Sequence, residues 1–340
     1  MKPIIQVKNL KKDYKVYKDH KGYIGAFRNL FDRRFSLIHA VNQVNFEINP
    51  GELVGYIGPN GAGKSTTIKM LTGLLVPTSG EVIVDGYVPW KQRKAYVKNI
   101  GAIFGQRTTL WWDLPVGDSL DLLKHIYDIP DSIFKENFGL FREILDLDSF
   151  LETPVRSLSL GQRMRADFCA ALMHNPKLLF LDEPTIGLDV VAKQRIRDFI
   201  QFINRERNTT ILLTTHDLSD VAKLCERVII IDLGQILYDG QLKDLLDTYG
   251  GRRILSVEFA ENYPLPQLEH AEIIQANQNK VTYSFMRQST TASKLIRDLS
   301  ENYRIADLEV RDQPIEDTIR EIYEKKLLYN GNHGKENPSS

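Results

Sequence analysis

The stretch GPNGAGKST at positions 58–66 restricts the possible folds of this 340-residue chain more than any other feature. It fits the pattern G-x-x-x-x-G-K-[S/T], with a strand-like stretch, LVGYI, before it and a helix-like stretch, TIKMLTGLL, after it. Glycines let such a loop curl so that its N–H groups point inward, and the start of the helix adds positive dipole. The combination predicts a phosphate-binding loop between a strand and a helix.

The residues of this loop are expected to bind different parts of a nucleoside triphosphate. Lys64 would reach the β- and γ-phosphates, the Ser65 hydroxyl would bind Mg²⁺, and Thr66 would add a phosphate contact. The rest of the cradle comes from Gly58, Pro59, Asn60, Gly61, Ala62 and Gly63.

The order of apolar stretches predicts an α/β fold followed by a second domain. Short β-branched runs alternate with helical patterns over 1–240, which is typical of a largely parallel sheet. After a glycine pair at 250–251 the pattern changes to strands and two helices, so we expect a small α+β domain over 252–328. The polar stretch 329–340 predicts a disordered tail.

Polar residues follow three of the predicted strands. Asp182 and Glu183 end the apolar stretch KLLFLDEP, Gln106 follows NIGAIFG, and His216 follows TILLTT. Ligands gather at the carboxyl ends of parallel strands. We therefore expect Asp182 to hold the metal, Glu183 to orient or deprotonate the attacking water, and both Gln106 and His216 to face the γ-phosphate.

Composition excludes several other classes of protein. Lys and Arg total 44, as do Asp and Glu, so extensive binding to nucleic acid or an anionic membrane is not expected. Cys169 and Cys225 lie in no paired or metal-binding spacing, which indicates a reducing cytosol. No signal-peptide core and no apolar run near ~20 residues is present, so we expect that the chain does not cross a membrane itself.

Six motifs, in this order, resemble those of the ATP-binding subunits of ABC transporters: GPNGAGKST, Gln106, LSLGQ, LFLDEP, GLD and His216. The resemblance covers residues 4 to about 240. It implies a P-loop NTPase of the ABC cassette type, with a RecA-like core and a helical subdomain over about 107–160.

The same resemblance implies that two cassettes pair head to tail around two ATP molecules. Ser159, Gly161 and Gln162 would then contact the γ-phosphate held by the partner, at a helix N-terminus that favours anions. Asp189 would lie in the segment that reaches across between cassettes. In the family this segment is of the LSGGQ type, and Leu160 stands here in place of its first glycine. A leucine cannot adopt backbone angles that only glycine allows, so the contacts of that glycine are not assigned to Leu160.

The resemblance also implies the remaining ligand contacts. Tyr14 matches the aromatic residue that stacks on adenine, with Tyr17 as the alternative. Ser65, Gln106 and Asp182 would form the protein side of the Mg²⁺ site.

Residues 15–39 form a longer insertion than the family needs. They contain six Lys or Arg against two Asp. Phe27, Phe31 and Phe35 fall on one face of a helix. Such an element could lie against lipid headgroups or a membrane subunit, and the alternative is that its aromatic residues pack on their own domain.

The last two predictions concern a pair of tryptophans and the role of the second domain. Trp111 and Trp112 lie where the family has a groove for a helix of the membrane subunit, and we expect one of them to be buried and the other to line the groove. The region 252–328 resembles the C-terminal extension of drug-resistance-type subunits. The resemblance implies that it supports the dimer or regulates the ATPase, and the alternative is that it only packs as a folded domain.

The resulting prediction is an ATP-hydrolysing subunit that energises an ABC transporter, with export as the direction. Its partners would be transmembrane permease subunits and a second cassette, at the cytoplasmic face of the cell membrane. The alternatives are a soluble ABC-type ATPase acting on nucleic acid or ribosomes, and a P-loop kinase. Lys64 and Ser159 lie too close together for the long helices of repair-type members, and the chain carries one cassette rather than the two of translation-type members. A kinase would not need LSLGQ.

Overall fold

The computed structural model describes residues 2–17, 35–105 and 107–324. The predictions for Gln106, Phe27, Phe31 and the tail at 329–340 lie outside these residues. The chain forms two compact units, Met1–Gly240 and Gln241–Ser340.

The first unit combines strands and helices along most of its length. In chain order, its strands are β1 (Ile5–Tyr17), β2 (Phe35–Ile48), β3 (Leu53–Ile57), β4 (Ser79–Val84), β5 (Ile100–Phe104), β6 (Leu178–Asp182), β7 (Thr210–Thr214), β8 (Arg227–Asp232) and β9 (Gln235–Gln241). Its α-helices are α1 (Lys64–Leu71), α2 (Arg93–Tyr96), α3 (Val116–Ile126), α4 (Asp131–Ile144), α5 (Leu160–Leu172), α6 (Val190–Arg207) and α7 (Leu218–Leu224).

The main sheet has the strand order β5-β6-β7-β3-β8-β9, and its four pairings from β5 to β8 are all parallel. Its central strands are short apolar runs buried along almost their whole length, as a sheet covered on both faces requires. In register, Phe104 lies beside Asp182, and Asp182 lies beside Thr214. The predicted α/β fold is confirmed, and the register brings the ends of three strands together.

A second sheet, with the order β2-β1-β4, is antiparallel, and the sequence analysis did not predict it. Its inner residues, among them Ile5 and Leu10, share one hydrophobic core with Tyr56 of β3 and Ile68 of α1. The helix that follows the glycine-rich loop therefore packs into the same core as both sheets. Burial of this apolar surface holds the loop in place from both ends.

The ends of the 15–39 insertion are strands. Phe35 pairs in register with Tyr17, and Lys15 Nζ lies 4.8 Å from the centroid of the Phe35 ring. The prediction that Phe35 lies on a helix face is therefore wrong. Antiparallel pairing with β1 extends the hairpin to this residue and fixes an extended backbone.

The described part of the region between β5 and α5 contains the helices α3 and α4 and no named strand. Its two tryptophans correct one prediction. Trp111 is 37% exposed and Trp112 is 51% exposed, so neither is buried. The buried apolar residue of this segment is instead Leu110, which is 5% exposed. A tight turn, with the Leu114 N–H donating to the Trp111 carbonyl, carries both indole rings outward.

The second unit begins with α8 (Leu242–Tyr249) and continues with β10 (Arg252–Phe259), β11 (Ala271–Asn277), β12 (Lys280–Met286), α9 (Ala292–Ser300), β13 (Ile305–Asp312) and α10 (Ile315–Glu324). Its antiparallel sheet has the order β11-β12-β10-β13 and packs a buried core that includes Leu255, Tyr283 and Leu295. Across the described parts of both units, no helix is both long and apolar enough to span a bilayer.

Candidate nucleotide-binding site

The glycine-rich loop is held against its neighbours at two glycines. A Cβ atom on Gly58 would lie 2.1 Å from the carbonyl oxygen of Ile231. Gly63 has a φ of 109°, and a Cβ atom there would lie 2.4 Å from the carbonyl oxygen of Ala40. Both positions exclude any side chain, so these two glycines are required for the loop's path rather than for flexibility.

Lys64 is 7% exposed and its side chain turns back over the loop. Its Nζ donates to the carbonyl oxygens of Gly58 at 2.6 Å and Pro59 at 3.1 Å. Burial lowers the pKa of Lys64, and the nearby carboxylates of Glu183 and Asp182 act in the opposite direction. Neutral carbonyls compensate a buried ammonium only partly, so an anion is a stronger partner for it.

Asp182 ends β6 and accepts hydrogen bonds from two hydroxyl groups. Its Oδ1 accepts from Ser65 Oγ at 3.2 Å and from Thr214 Oγ1 at 2.5 Å. Sequence reasoning did not single out Thr214. The signal for it was the parallel sheet itself, since a hydroxyl at the end of β7 falls beside the carboxylate at the end of β6.

Glu183 and His216 form a pair at the ends of the same two strands. His216 Nδ1 lies 2.6 Å from Glu183 Oε2, and the His216 backbone N–H donates to the same oxygen at 3.2 Å. Glu183 has a φ of 58°, and its carbonyl oxygen would lie 2.1 Å from a Cβ atom on Gly105. This backbone turns the side chain of Glu183 away from the strand line and toward His216.

A cavity of about 500 Å³ opens over the loop. The predicted site residues Lys64, Ser65, Glu183 and His216 all line it. Its remaining lining residues are Ala40, Asn60, Gly61, Gly63, Thr66 and Ile186. A neighbouring cavity of about 360 Å³ shares Ser65 and Glu183 and also contacts Asp182 and Arg107, a residue that sequence reasoning did not assign.

Tyr14 lies on β1, close to this cavity but not among its lining residues. It is 39% exposed and pairs in register with Ile38, two residues before the lining residue Ala40. Lys12 Nζ lies 5.4 Å from the centroid of its ring. An exposed aromatic ring at this place is available to stack on a ligand that extends beyond the cavity.

The SLSLGQ turn is built as a helix N-terminus. Ser159 caps α5: its Oγ accepts from the Gln162 N–H at 3.2 Å, and Gln162 Oε1 accepts from the Ser159 N–H at 2.9 Å. Leu160 packs against Gly187, where an added Cβ atom would lie 2.9 Å from Leu160 Cδ2. The unusual leucine is therefore accommodated by a glycine elsewhere in the same chain. Next to the helix start, a Cβ atom on Gly161 would lie 3.3 Å from the Cβ atom of Ala192.

The structure does not bring this turn to the cavity of its own chain. Ser159 is exposed, and Ser159, Gly161 and Gln162 are absent from the described lining residues. The same holds for Asp189, which is exposed and caps α6 by accepting from the Ala192 N–H at 2.8 Å.

A parallel sheet whose strand ends deliver a glycine-rich loop, a buried lysine and an acidic pair defines a P-loop nucleoside triphosphatase. Comparison with known proteins narrows the class. The sequence model of the family described as "ABC transporter" matches residues 41–186. The ATP-binding protein NatA of Bacillus subtilis (strain 168) is 33% identical over 218 residues, which are 64% of this chain and 88% of NatA.

A longer match is found with Nod factor export ATP-binding protein I of Cupriavidus metallidurans, 31% identical over 265 residues, covering 78% of this chain and 80% of that protein. Among solved structures, the dimeric ATP-binding cassette MJ0796 bound to ADP and Pi aligns with a TM-score of 0.58 and 26% identity, over 70% of this chain and 98% of that one. This chain belongs to the family of ABC transporter ATP-binding proteins and is an ATPase. The alternative of a soluble ATPase acting on nucleic acid or ribosomes is not favoured.

Proposed function

We propose that two cassettes enclose ATP between the loop of one and the Ser159 turn of the other, and that this cycle energises export. The observation that carries the proposal is a separation within one chain. Lys64, Glu183 and His216 line one cavity, while Ser159 caps an exposed helix N-terminus outside it. A helix N-terminus with polar caps favours an anion, so a second chain is needed to bring one to it.

The residues at the loop fit ATP with Mg²⁺. Ser65 Oγ and Asp182 Oδ1 lie 3.2 Å apart, and hydroxyl and carboxylate oxygens are the ligands that Mg²⁺ prefers. Gln106 would add its amide oxygen. Bound Mg²⁺ would neutralise charge on the β- and γ-phosphates. Lys64 would then exchange its two carbonyl partners for phosphate oxygens, and Tyr14 would stack on the adenine.

Glu183 is the residue suited to activate water. Both His216 contacts fall on Oε2, so Oε1 can accept a proton from a water placed in line with the γ-phosphate. His216 holds the carboxylate in one orientation. Gly161, Gln162 and Asp189 of the partner would close the site from the opposite side and exclude bulk water.

The protein would work with transmembrane permease subunits as a peripheral component at the cytoplasmic face of the cell membrane. The name of one relative supports export, the Nod factor export protein. A second relative is named for resistance, the linearmycin resistance ATP-binding protein LnrL of Bacillus subtilis (strain 168), 34% identical over 217 residues. We carry export from the Nod factor export protein to this chain, and we propose that the membrane subunits determine the transported compound.

Glu183→Gln tests the proposal because it keeps the His216 contact but removes the base. With ATP and Mg²⁺, the full-length variant should form a stable dimer, measured by size exclusion with light scattering. Lys64→Ala in the same background is the matched control and should stay monomeric, since the γ-phosphate loses its cation. A Glu183→Gln protein that binds ATP and remains monomeric, also with its membrane subunits present, would contradict the head-to-tail arrangement.

A further inference from the structure

Asp167 joins the helix that carries the Ser159 turn to the segment that follows Gln106. It lies on α5 and is 4% exposed. Its Oδ1 accepts three hydrogen bonds: from Thr108 Oγ1 at 2.8 Å, from the Thr109 N–H at 2.9 Å and from Thr109 Oγ1 at 3.2 Å. One buried carboxylate oxygen thus holds two consecutive residues of another segment.

A packing role alone does not explain a carboxylate at this position. Burial raises the pKa of Asp167 to about 6, although the bonds from Thr108 and Thr109 and the charge of Arg163 favour ionisation. An apolar residue would fill the same space without this desolvation penalty. The three directed hydrogen bonds are therefore what distinguishes Asp167 from a hydrophobic filler.

A second contact joins the same two segments. The guanidinium carbon of Arg163 lies 5.7 Å from the centroid of the Trp112 ring. Arg163 precedes Asp167 by four residues, so both side chains project from the same face of α5. Between them, Asp167 and Arg163 hold the start and the end of the stretch 108–112.

We propose that Asp167 is a positioning residue that locks the segment after Gln106 onto the helix carrying the Ser159 turn, so that the two move as one body. The inference rests on the proposed function, in which Gln106 contacts the γ-phosphate of one site and Ser159 faces the ATP of the other. Engagement of Gln106 would then set the orientation of the Ser159 turn through Asp167. This gives the two ATP sites a direct physical connection within each chain.

Loss of the lock should slow hydrolysis without weakening the initial capture of ATP. Lys64 Nζ donates to carbonyls of the glycine-rich loop, whereas the described hydrogen bonds of Asp167 come from Thr108 and Thr109, so binding of nucleotide to one chain should stay intact. Closure with Ser159 correctly placed is the step that suffers. An interaction made only on the way to the transition state appears in kcat rather than KM.

The experiment compares two double variants of the full chain. Thr108→Val with Thr109→Val keeps the side-chain shape and removes both hydroxyl donors, while Thr108→Ser with Thr109→Ser keeps the donors. We expect the valine pair to lower kcat at least about tenfold with KM within about threefold. The serine pair should stay within about twofold of the original kcat. Binding of a fluorescent ATP analogue should be equal in both.

Asp167 itself provides the second arm. Asp167→Ala should lower kcat at least as far as the valine pair, and Asp167→Asn should recover most of the loss because its carbonyl oxygen can still accept. If Asp167→Ala does not fold, the valine pair decides, because Thr108 and Thr109 are not buried. Wild-type kcat in the valine pair overturns the inference, whatever Asp167→Ala does.

The two proposals can fail separately. If Glu183→Gln with native Asp167 does not dimerise with ATP, the proposed function fails. If it does dimerise but the valine pair hydrolyses ATP at the original rate, only the role of Asp167 fails.

Discussion

The imidazole of His216 and the carboxylate of Glu183 meet at a single oxygen, with Nδ1 2.6 Å from Oε2 and the His216 backbone N–H also donating to it. A carboxylate can only accept, so Nδ1 must carry a proton. His216 thus contributes two donors to one oxygen from a rigid strand end. This pairing holds the carboxylate of the proposed base in one orientation before any water binds.

His216→Ala should therefore lower kcat by about 10²-fold while nucleotide binding stays nearly unchanged, since orientation of the base is lost and the phosphate cradle is not. Steady-state ATPase assays and a binding titration measure the two effects. His125→Ala, on the exposed part of α3, is the matched control and should have no effect. Equal kcat in both variants would rule out an orienting role for His216.

Gly58→Ala should abolish ATP binding. The added methyl group would lie 2.1 Å from the Ile231 carbonyl oxygen, and the loop would have to leave β8 to accommodate it. The control is Gly139→Ala in α4, where the added methyl group would point into open space beside the helix's own backbone. That change should be neutral or stabilise by about 0.5–1 kcal/mol, because glycine is unfavourable inside a helix. Retained nucleotide affinity in Gly58→Ala would contradict this account of the loop.

Asp220→Ala should destabilise the first unit by about 3–5 kcal/mol, because the buried guanidinium of Arg197 loses its nearest carboxylate partner. Asp220 is fully buried, and Arg197 Nε donates to its Oδ1 at 2.6 Å. Thr185 also donates to this carboxylate, two residues after Glu183, so ATPase activity should fall with stability. Thermal denaturation of the full chain measures the loss.

The control for Asp220 is an exposed ion pair of similar length. Arg156 NH1 lies 2.7 Å from Asp113 Oδ1, and both side chains are more than half exposed. Asp113→Ala should leave the denaturation midpoint almost unchanged, because exposed pairs are screened by solvent. Similar losses in both variants would show that burial is not the cause.

The raised pKa of Asp167 predicts that the free energy of unfolding falls as the pH rises, the opposite of the usual effect of a carboxylate in a salt bridge. Its pKa is raised to about 6, above the usual aspartate value that applies to the unfolded chain. Between these two values the native protein binds a proton that the unfolded chain has released. The free energy of unfolding should therefore decrease as the pH rises through about 4 to 6.

Asp167→Asn removes this titration. Its free energy of unfolding, relative to the original chain, should increase by up to about 3 kcal/mol between pH 4 and pH 7. Denaturant unfolding at several pH values measures the difference between the two curves, so the other titrating groups cancel. Two parallel curves would contradict the raised pKa of Asp167.

Local sequence was sufficient for the elements that bear the site. The glycine pattern of 58–66 requires a curled backbone. The interiors of β3, β6 and β7 are apolar because both faces of the central sheet are covered, and polar residues appear only at the ends of β6 and β7. Such signals lie within a few residues of one another, so order along the chain already indicated a parallel sheet with polar residues at its strand ends.

Contacts between distant segments were decided by the tertiary structure alone. The antiparallel sheet of β1, β2 and β4 depends on pairing across long separations, and it placed Phe35 in a strand. Asp167 accepts a hydrogen bond from Thr108 through packing that no local pattern encodes. Both tryptophans at 111–112 are exposed because a turn directs them outward. A side chain's partner depends on which surfaces pack together, and that is determined by burial over the whole unit rather than by neighbours in sequence.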